Sequence, residues 1–129
     1  MSFNKKDLIQ YRLEKAWTTY QEAKSLAGSG FWDGAANRLY YSCFYAVIAL
    51  LAKNDITVTT HNGVRTEFFR NYIKTGILDK EFSSLYSNLM GKRQESDYGD
   101  FQNFSTNEIS PLINEAESFI SKITEIIKD

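Results

Sequence analysis

The chain has 129 residues, a formal net charge of −1 and a single cysteine. This length predicts a single domain over residues 1–129. The nearly balanced charge argues against bulk attraction to nucleic acid, so any RNA contact must come from a local patch. One cysteine and one histidine are too few for a dedicated zinc or iron centre, so no metal or other cofactor is expected.

The sequence has no leading segment of the signal-peptide type. Its longest apolar run, residues 46–52, is far shorter than the ~20 residues that a membrane span requires. A lone cysteine cannot form a disulfide within the chain, which fits a reducing compartment. These features predict a cytoplasmic protein with no membrane association.

Hydrophobic spacing predicts a series of helices with few breaks. The first covers residues 4–27 and ends at Gly28-Ser29-Gly30, as is common where a glycine follows a helix. The second covers residues 32–53 and is apolar around much of its circumference. It is therefore either the central helix or a helix with a second, partner-facing side. A polar loop over residues 54–60, with no second strand to pair with, leads to a shorter helix over residues 62–74.

Two more helices follow. Asp79 is placed as the N-cap of a helix that extends to about Tyr98. Residues 104–109 have the pattern of a capping box with a hydrophobic staple. Pro111 allows two interpretations, because it either kinks the second turn of the last helix or occupies its first position after Ser110. The predicted fold is all-α, an up-and-down bundle of four to five helices.

The most informative feature is a charged residue on an apolar helix face. Arg93 continues, at helical spacing, a stripe of three apolar side chains: Phe82, Leu85 and Leu89. Asp97 follows one turn later, with Tyr98 beside it. Burying a guanidinium costs free energy unless the group forms an ion pair or binds a ligand. Arg93 is therefore either a phosphate ligand held by Asp97, with the Tyr98 phenol alongside, or half of a structural pair that fixes helix packing.

A second polar and aromatic group lies on the second predicted helix. Asn37, Tyr41 and Tyr45 share one face, and Arg38 neighbours Tyr41 at a spacing of three. Bases stack on tyrosine rings and arginine binds phosphate, so the group is suited to nucleotides. The alternative is a half-buried helix face or a dimer seam.

His61 is the only histidine and stands at the start of the third predicted helix. Its ordinary pKa suits general acid or base catalysis. However, no nucleophilic or acidic side chain lies at a sequence spacing that would indicate a catalytic site around His61. The alternative is a histidine that simply begins the helix, and the sequence leaves its role open.

Several segments resemble a known family. Residues 36–45 are similar to the second-helix signature of HEPN domains, the higher-eukaryote and prokaryote nucleotide-binding superfamily. Residues 61–64, 68–69, 74–76 and 93–101 resemble one prokaryotic branch of it. The resemblance implies a bundle of four to five helices that usually dimerises.

The resemblance also implies functions. Many HEPN proteins are metal-independent ribonucleases, with an arginine followed after four to six residues by a histidine and a composite site across the dimer. Others are toxins or regulatory partners of small nucleotidyltransferases. Arg93 matches the arginine, but this chain continues with Asp97 and Tyr98 and has no later histidine. A neutral phenol is a poor base at pH 7, so the change favours binding over cleavage.

The sequence therefore predicts a HEPN-type homodimer that binds RNA or a nucleotide. It would form part of a toxin–antitoxin or defence-like pair with a small nucleotidyltransferase. One alternative is a metal-independent ribonuclease that uses Arg93, and another is a non-catalytic adaptor. The candidate catalytic residues are Arg93, Asp97 and Tyr98. The candidate RNA- or nucleotide-binding residues are Asn37, Arg38, Tyr41, Arg93 and Tyr98.

Overall fold

The computed structural model describes residues 4–98 and 103–129, with Tyr98 described by its backbone alone. The helices are α1 (Lys5–Gly28), α2 (Trp32–Lys53), α3 (His61–Phe68), α4 (Lys80–Tyr98) and α5 (Thr106–Lys128). A π-helical turn, Phe69–Ile73, extends α3. The described residues contain no strand, so the prediction of an all-α bundle is confirmed.

Helix α2 lies at the centre and is in contact with every other helix of the described chain. Helix α1 runs antiparallel to it, since Lys5 pairs with the carbonyl of Lys53 at one end and Arg38 pairs with Glu22 at the other. Helix α5 runs parallel to it. At its start the Phe104 N–H donates to Asp33 Oδ1 (2.8 Å), and near its end Lys53 Nζ donates to the Ile126 carbonyl (2.7 Å).

Backbone hydrogen bonds and one glycine determine where α1 ends. The N–H of Phe31 donates to the carbonyl of Leu26 (2.9 Å), and that of Gly30 donates to the carbonyl of Ala27 (3.0 Å). Gly30 has a φ of +78°. This is a Schellman motif, in which a residue in the left-handed conformation satisfies carbonyls that the helix leaves free. The predicted stop at Gly28-Ser29-Gly30 is thus confirmed.

Helix α3 begins at His61, one residue before the predicted start, because the Thr60 hydroxyl caps it by accepting from the Gly63 N–H (2.9 Å). The predicted regular helix over residues 62–74 is wrong in one respect. The α-helical pattern stops at Phe68 and continues as the π-helical turn, in which the Lys74 N–H donates to the Phe69 carbonyl (2.8 Å).

The two interpretations of Pro111 are resolved. Ser105 caps α5 and forms the predicted capping box with Glu108, so the helix starts at Thr106 and Pro111 lies in its second turn. The later start after Ser110 is wrong. Proline removes the bond to the Asn107 carbonyl, but Asn107 and Pro111 are both exposed and water can reach that carbonyl.

The apolar circumference of α2 is explained by its central position. By length and composition it is the one helix in the described ranges that could cross a membrane, with a mean hydropathy of 1.2 over 18 residues. However, 67 % of that window is buried inside the protein. Central helices of globular bundles have the same composition, so this is weak evidence for a membrane span.

Candidate functional site

The fold brings the two predicted polar groups together. Helix α4 crosses α2 in the antiparallel sense, so that the Asn37 amide donates to Asp97 Oδ1 (3.4 Å). One turn along, the Arg93 guanidinium carbon lies 5.2 Å from the ring centre of Tyr40 and 6.0 Å from that of Tyr41. Such a geometry is a cation–π contact, worth about 1–2 kcal/mol when partly desolvated.

Arg93 is buried, with 8 % of its surface exposed. Its Nη1 donates to Asp97 Oδ2 over a long 3.3 Å, and the Asp97 side chain is 35 % exposed. The buried Nε has no hydrogen-bond partner within residues 4–98 and 103–129. A buried donor without a partner costs about 1–3 kcal/mol. The guanidinium is therefore positioned by packing more than by its ion pair, and it has donor capacity left for an anion.

A second cation lies beside it. Arg38 donates from Nε (3.1 Å) and Nη2 (2.8 Å) to the Asn37 side-chain oxygen, and its guanidinium lies 5.2 Å from the ring centre of Tyr41. Glu22 of α1 adds a looser ion pair at 3.7 Å. These contacts hold Arg38, Asn37 and Tyr41 as one connected group on the first turns of α2.

His61 enters the same cluster from α3. Its Nδ1 lies 2.7 Å from the hydroxyl of Tyr40, and its ring centre is 5.6 Å and 5.9 Å from those of Tyr40 and Tyr41. It also packs against Phe44, with ring centres 5.0 Å apart. Burial lowers the pKa of His61, and the positive charge of Arg93 lowers this pKa further. The imidazole is therefore neutral at pH 7.

The loop between α2 and α3 explains how His61 reaches Tyr40. Tyr40 lies thirteen residues before the end of α2, a distance of about 20 Å along a helix. The following seven residues, 54–60, span up to about 24 Å when extended. This polar loop can therefore carry the chain back along α2 to its middle.

The buried side of this group of residues contains two phenol hydroxyls. Tyr40 is fully buried, and burial raises its pKa, so its hydroxyl stays protonated at pH 7. Tyr86 of α4 packs against Tyr40 with ring centres 5.7 Å apart. Its buried hydroxyl has no hydrogen-bond partner in the described part of the chain. Buried polar groups without a partner are rare in proteins.

We call this cluster the Arg93 site. It consists of Asn37, Arg38, Tyr40, Tyr41, His61, Arg93 and Asp97. It combines two guanidinium groups, one buried and one half-buried phenol, and one neutral imidazole. This set is suited to an anion such as a phosphate, with aromatic rings beside it for a base.

Most of the predicted residues meet here. Asn37, Arg38 and Tyr41 join Arg93 and Asp97. Tyr45 lies one turn farther along α2, where the Lys15 ammonium covers its ring at 5.3 Å. The prediction for the Tyr98 side chain lies outside the described residues.

Sequence reasoning missed His61 and Tyr40 as members of the site. The sequence leaves the role of His61 open because its partner is 21 positions away, and Tyr40 lies in the largely apolar second helix, where nothing in the sequence distinguishes it from a core residue. The length of the polar loop was the one available signal. Within residues 4–98 and 103–129, no three histidine, cysteine or acidic side chains are grouped so that they could hold a metal ion.

Comparison with known proteins agrees with this fold. A protein-family model described as HEPN domain matches residues 9–127. A UPF0332 protein of Thermotoga maritima is 33 % identical over 125 residues, covering 97 % of this chain and 95 % of that protein. A protein of Methanocaldococcus jannaschii named "Putative toxin" is 32 % identical over 122 residues, covering 95 % and 83 %. A UPF0332 protein of Archaeoglobus fulgidus is 28 % identical over 116 residues, covering 90 % and 92 %. The chain belongs to the HEPN domain family.

Proposed function

We propose that this protein is a toxin-like HEPN domain that binds RNA or a nucleotide at the Arg93 site. The observation that carries the proposal is the buried Arg93 guanidinium, which has one long bond to a partly exposed carboxylate and an unpaired Nε among the described residues. Packing would favour an apolar side chain here. An arginine with unused donors beside Arg38 and Tyr41 is suited to a phosphate and the base next to it.

The toxin-like role rests on the family and on the name of the Methanocaldococcus jannaschii relative. We further propose that the chain acts in the cytoplasm as one half of a toxin–antitoxin or defence-like pair. Its partner would be a small nucleotidyltransferase, as in other HEPN proteins that the sequence resembles. Co-expression with a small nucleotidyltransferase of the same organism, followed by affinity purification of the tagged HEPN chain, tests this part. Recovery of the HEPN chain alone would contradict it.

Binding is tested by fluorescence anisotropy with a random-sequence oligoribonucleotide and, separately, with ATP. Arg93→Ala should weaken binding by about ten- to a hundredfold, because each charge-assisted contact to phosphate is worth ~1.5–3 kcal/mol. The matched control is Arg70→Ala. Arg70 also forms an ion pair within its helix, with Glu67 at 2.7 Å, but it is exposed and has no contact with the Arg93 site.

Two results would contradict the proposal. The first is the absence of binding of either probe by the wild-type protein, which would favour a non-catalytic adaptor. The second is equal loss of binding in both arginine variants, which would indicate non-specific electrostatic attraction. The denaturation midpoint of each variant is measured alongside, so that loss of fold is recognised.

A further inference from the structure

We propose that the groove between α4 and α5 is a docking site for an α-helix of a partner protein, which inserts one arginine and one apolar side chain. The groove begins at Glu81, about 18 Å from Arg93 along α4 by the rise of a helix. The proposal adds an interaction surface and does not depend on binding at the Arg93 site. We define the α4/α5 groove by six of the residues that line it: Glu81, Phe82, Leu85, Glu115, Ser118 and Phe119.

The groove exists because α4 and α5 each pack on α2 more extensively than on each other. The two helices run in opposite directions and meet through Phe119 of α5. Its ring centre lies 5.5 Å from that of Phe82 and 6.3 Å from that of Tyr86, both on α4. Above these rings the two helices form the walls of an open groove. A groove between two helices with an apolar floor is suited to a third helix that lies in it.

The size of the groove fits two side chains of such a helix. Its volume is about 290 Å³, just below the ~300–1,000 Å³ of sites that enclose a whole small molecule. The wall on α4 extends from Glu81 to Leu85, and the wall on α5 extends from Glu115 to Phe119. Each wall is thus about 6 Å long, which matches the separation of side chains at positions i and i+4 of a helix.

The floor of the groove is apolar and well packed. Phe82 and Leu85 are half-buried and present apolar surface to the groove, and Phe119 lies beneath them with 1 % of its surface exposed. Phe119 is held in turn by Phe68 of α3, with ring centres 5.8 Å apart. A surface that is already fixed by packing loses little conformational freedom on binding. The floor therefore provides a preformed contact for an apolar side chain.

The rim of the groove is acidic. Glu81 and Glu115 stand exposed on opposite walls, and neither forms an ion pair within residues 4–98 and 103–129. No lysine or arginine lies three or four positions from either glutamate in the sequence. Lys122, one turn beyond the groove, pairs with Glu125 instead, at 3.7 Å. A cation placed between the two carboxylates would be attracted by both, so the charge of the rim is complementary to a basic partner.

Arginine fits this combination better than lysine. Its planar guanidinium can donate two hydrogen bonds to one carboxylate and stack on an aromatic ring, and it is less strongly hydrated than an ammonium. Its aliphatic stem can also cover apolar surface. The guanidinium would reach Glu81 or Glu115 while its stem lies on Phe82. The apolar residue one turn along the partner helix would then cover Leu85.

The test uses an alanine-rich helical peptide of about 20 residues, with one central arginine and a leucine four positions later. The peptide is titrated into the ¹⁵N-labelled full chain and binding is followed by NMR. The amide signals of residues 81–85 and 114–119 should shift. A matched peptide with citrulline, which keeps the shape of arginine but lacks its charge, should bind about tenfold more weakly.

Variants of the rim test the charge from the other side. Glu115→Gln is the main variant because Glu115 lies in the middle of α5, whereas Glu81 lies in the first turn of α4, where a carboxylate also stabilises the helix. Glu115→Gln should weaken binding of the arginine peptide by about threefold or more. The matched control is Glu95→Gln, the same change at an exposed position of α4 outside the groove. It should bind like the wild type, and denaturation midpoints identify any variant that has lost its fold.

Four outcomes would overturn the proposal. The absence of any shift with millimolar peptide would exclude a docking site, and equal binding of the citrulline peptide would exclude recognition of a cation. Binding of N-acetylarginine amide as tightly as the peptide would indicate a site for a small cation instead of a helix. A change of molecular mass in Glu115→Gln, measured by light scattering, would assign the groove to a second copy of this chain. None of these results bears on the Arg93 site, whose binding is measured separately.

Discussion

At the scale of single residues, Arg93 and Asp97 are unequal partners. Arg93 is buried whereas the Asp97 side chain is 35 % exposed, and their bond is 3.3 Å long. Removing one member of a fully buried pair leaves an uncompensated buried charge and costs ~3–5 kcal/mol. Exposed pairs are worth about 0–1 kcal/mol. Because the Asp97 side chain is partly exposed, we expect the ion pair to contribute about as little to stability as an exposed pair.

Asp97→Ala should therefore lower the free energy of unfolding by less than about 1 kcal/mol. Asp97 also accepts from the Asn37 amide, but that contact is long, at 3.4 Å, and lies at the surface. Urea unfolding followed by circular dichroism measures the change. A loss of several kcal/mol would show that the pair holds α4 against α2, and would favour the structural interpretation of Arg93.

His61 should make stability depend on pH. Because its pKa is lower in the folded protein, the unfolded chain binds a proton more readily, with an ordinary pKa of about 6.5. The free energy of unfolding should therefore be highest above that value and should fall as the pH is lowered through and below it.

Urea titrations at pH 7.5 and pH 5.5 measure this effect in the wild type and in His61→Gln. The wild type should lose more stability than the variant over this interval. Equal losses would mean that the imidazole is as easily protonated in the folded protein as in the unfolded chain.

At the scale of helices, the sequence predicts the helix ends well because the residues that determine each end lie close to it in the sequence. Gly30 and the Ser105–Glu108 pair stand within a few residues of the termini that they determine. The π-helical turn at Phe69–Ile73 has no such signal, because its residues are compatible with an ordinary α-helix. The meeting of His61 with Tyr40 also depends on the course of a loop and on packing, which hydrophobic spacing does not encode.

The cap of α5 gives a test at this scale. Ser105→Ala should lower the free energy of unfolding by about 1 kcal/mol, because the hydroxyl no longer accepts from the Glu108 N–H. Ser121→Ala is the matched control, since it makes the same change at an exposed position inside the same helix. Equal effects of the two substitutions in thermal or urea unfolding would contradict the role of the cap.

At the scale of the whole molecule, the structure changes the argument for a dimer. The sequence suggested that α2 has more apolar surface than one packing face can use. In the fold most of that surface packs against the other helices of the same chain. What remains is a partly exposed stripe at helical spacing. We define this α2 stripe as Tyr41, Phe44, Tyr45 and Ile48.

We expect a two-fold dimer that pairs these stripes, because an isologous contact hides an apolar face on both subunits at once. Tyr41 belongs to the Arg93 site as well, so such a dimer would bring two sites close together. Light scattering should show twice the monomer mass for the wild type and a monomer for Ile48→Glu. The control is Ile77→Glu, an exposed isoleucine outside the stripe. A monomeric wild type at micromolar concentration would contradict the expectation.

The hydrogen bond between Asp33 and the Phe104 N–H has a consequence for how the protein can vary. On one side of residues 98–103, Asp97 accepts a hydrogen bond from the Asn37 amide. On the other side, the Phe104 N–H donates to Asp33. Both anchors lie on the opening turns of the same helix, α2. The chain between them can therefore change in sequence, or accept an insertion, without moving Arg93 or the start of α5. Under the proposed function, specificity for different RNAs or partners would vary with this segment while the Arg93 site next to it stays unchanged.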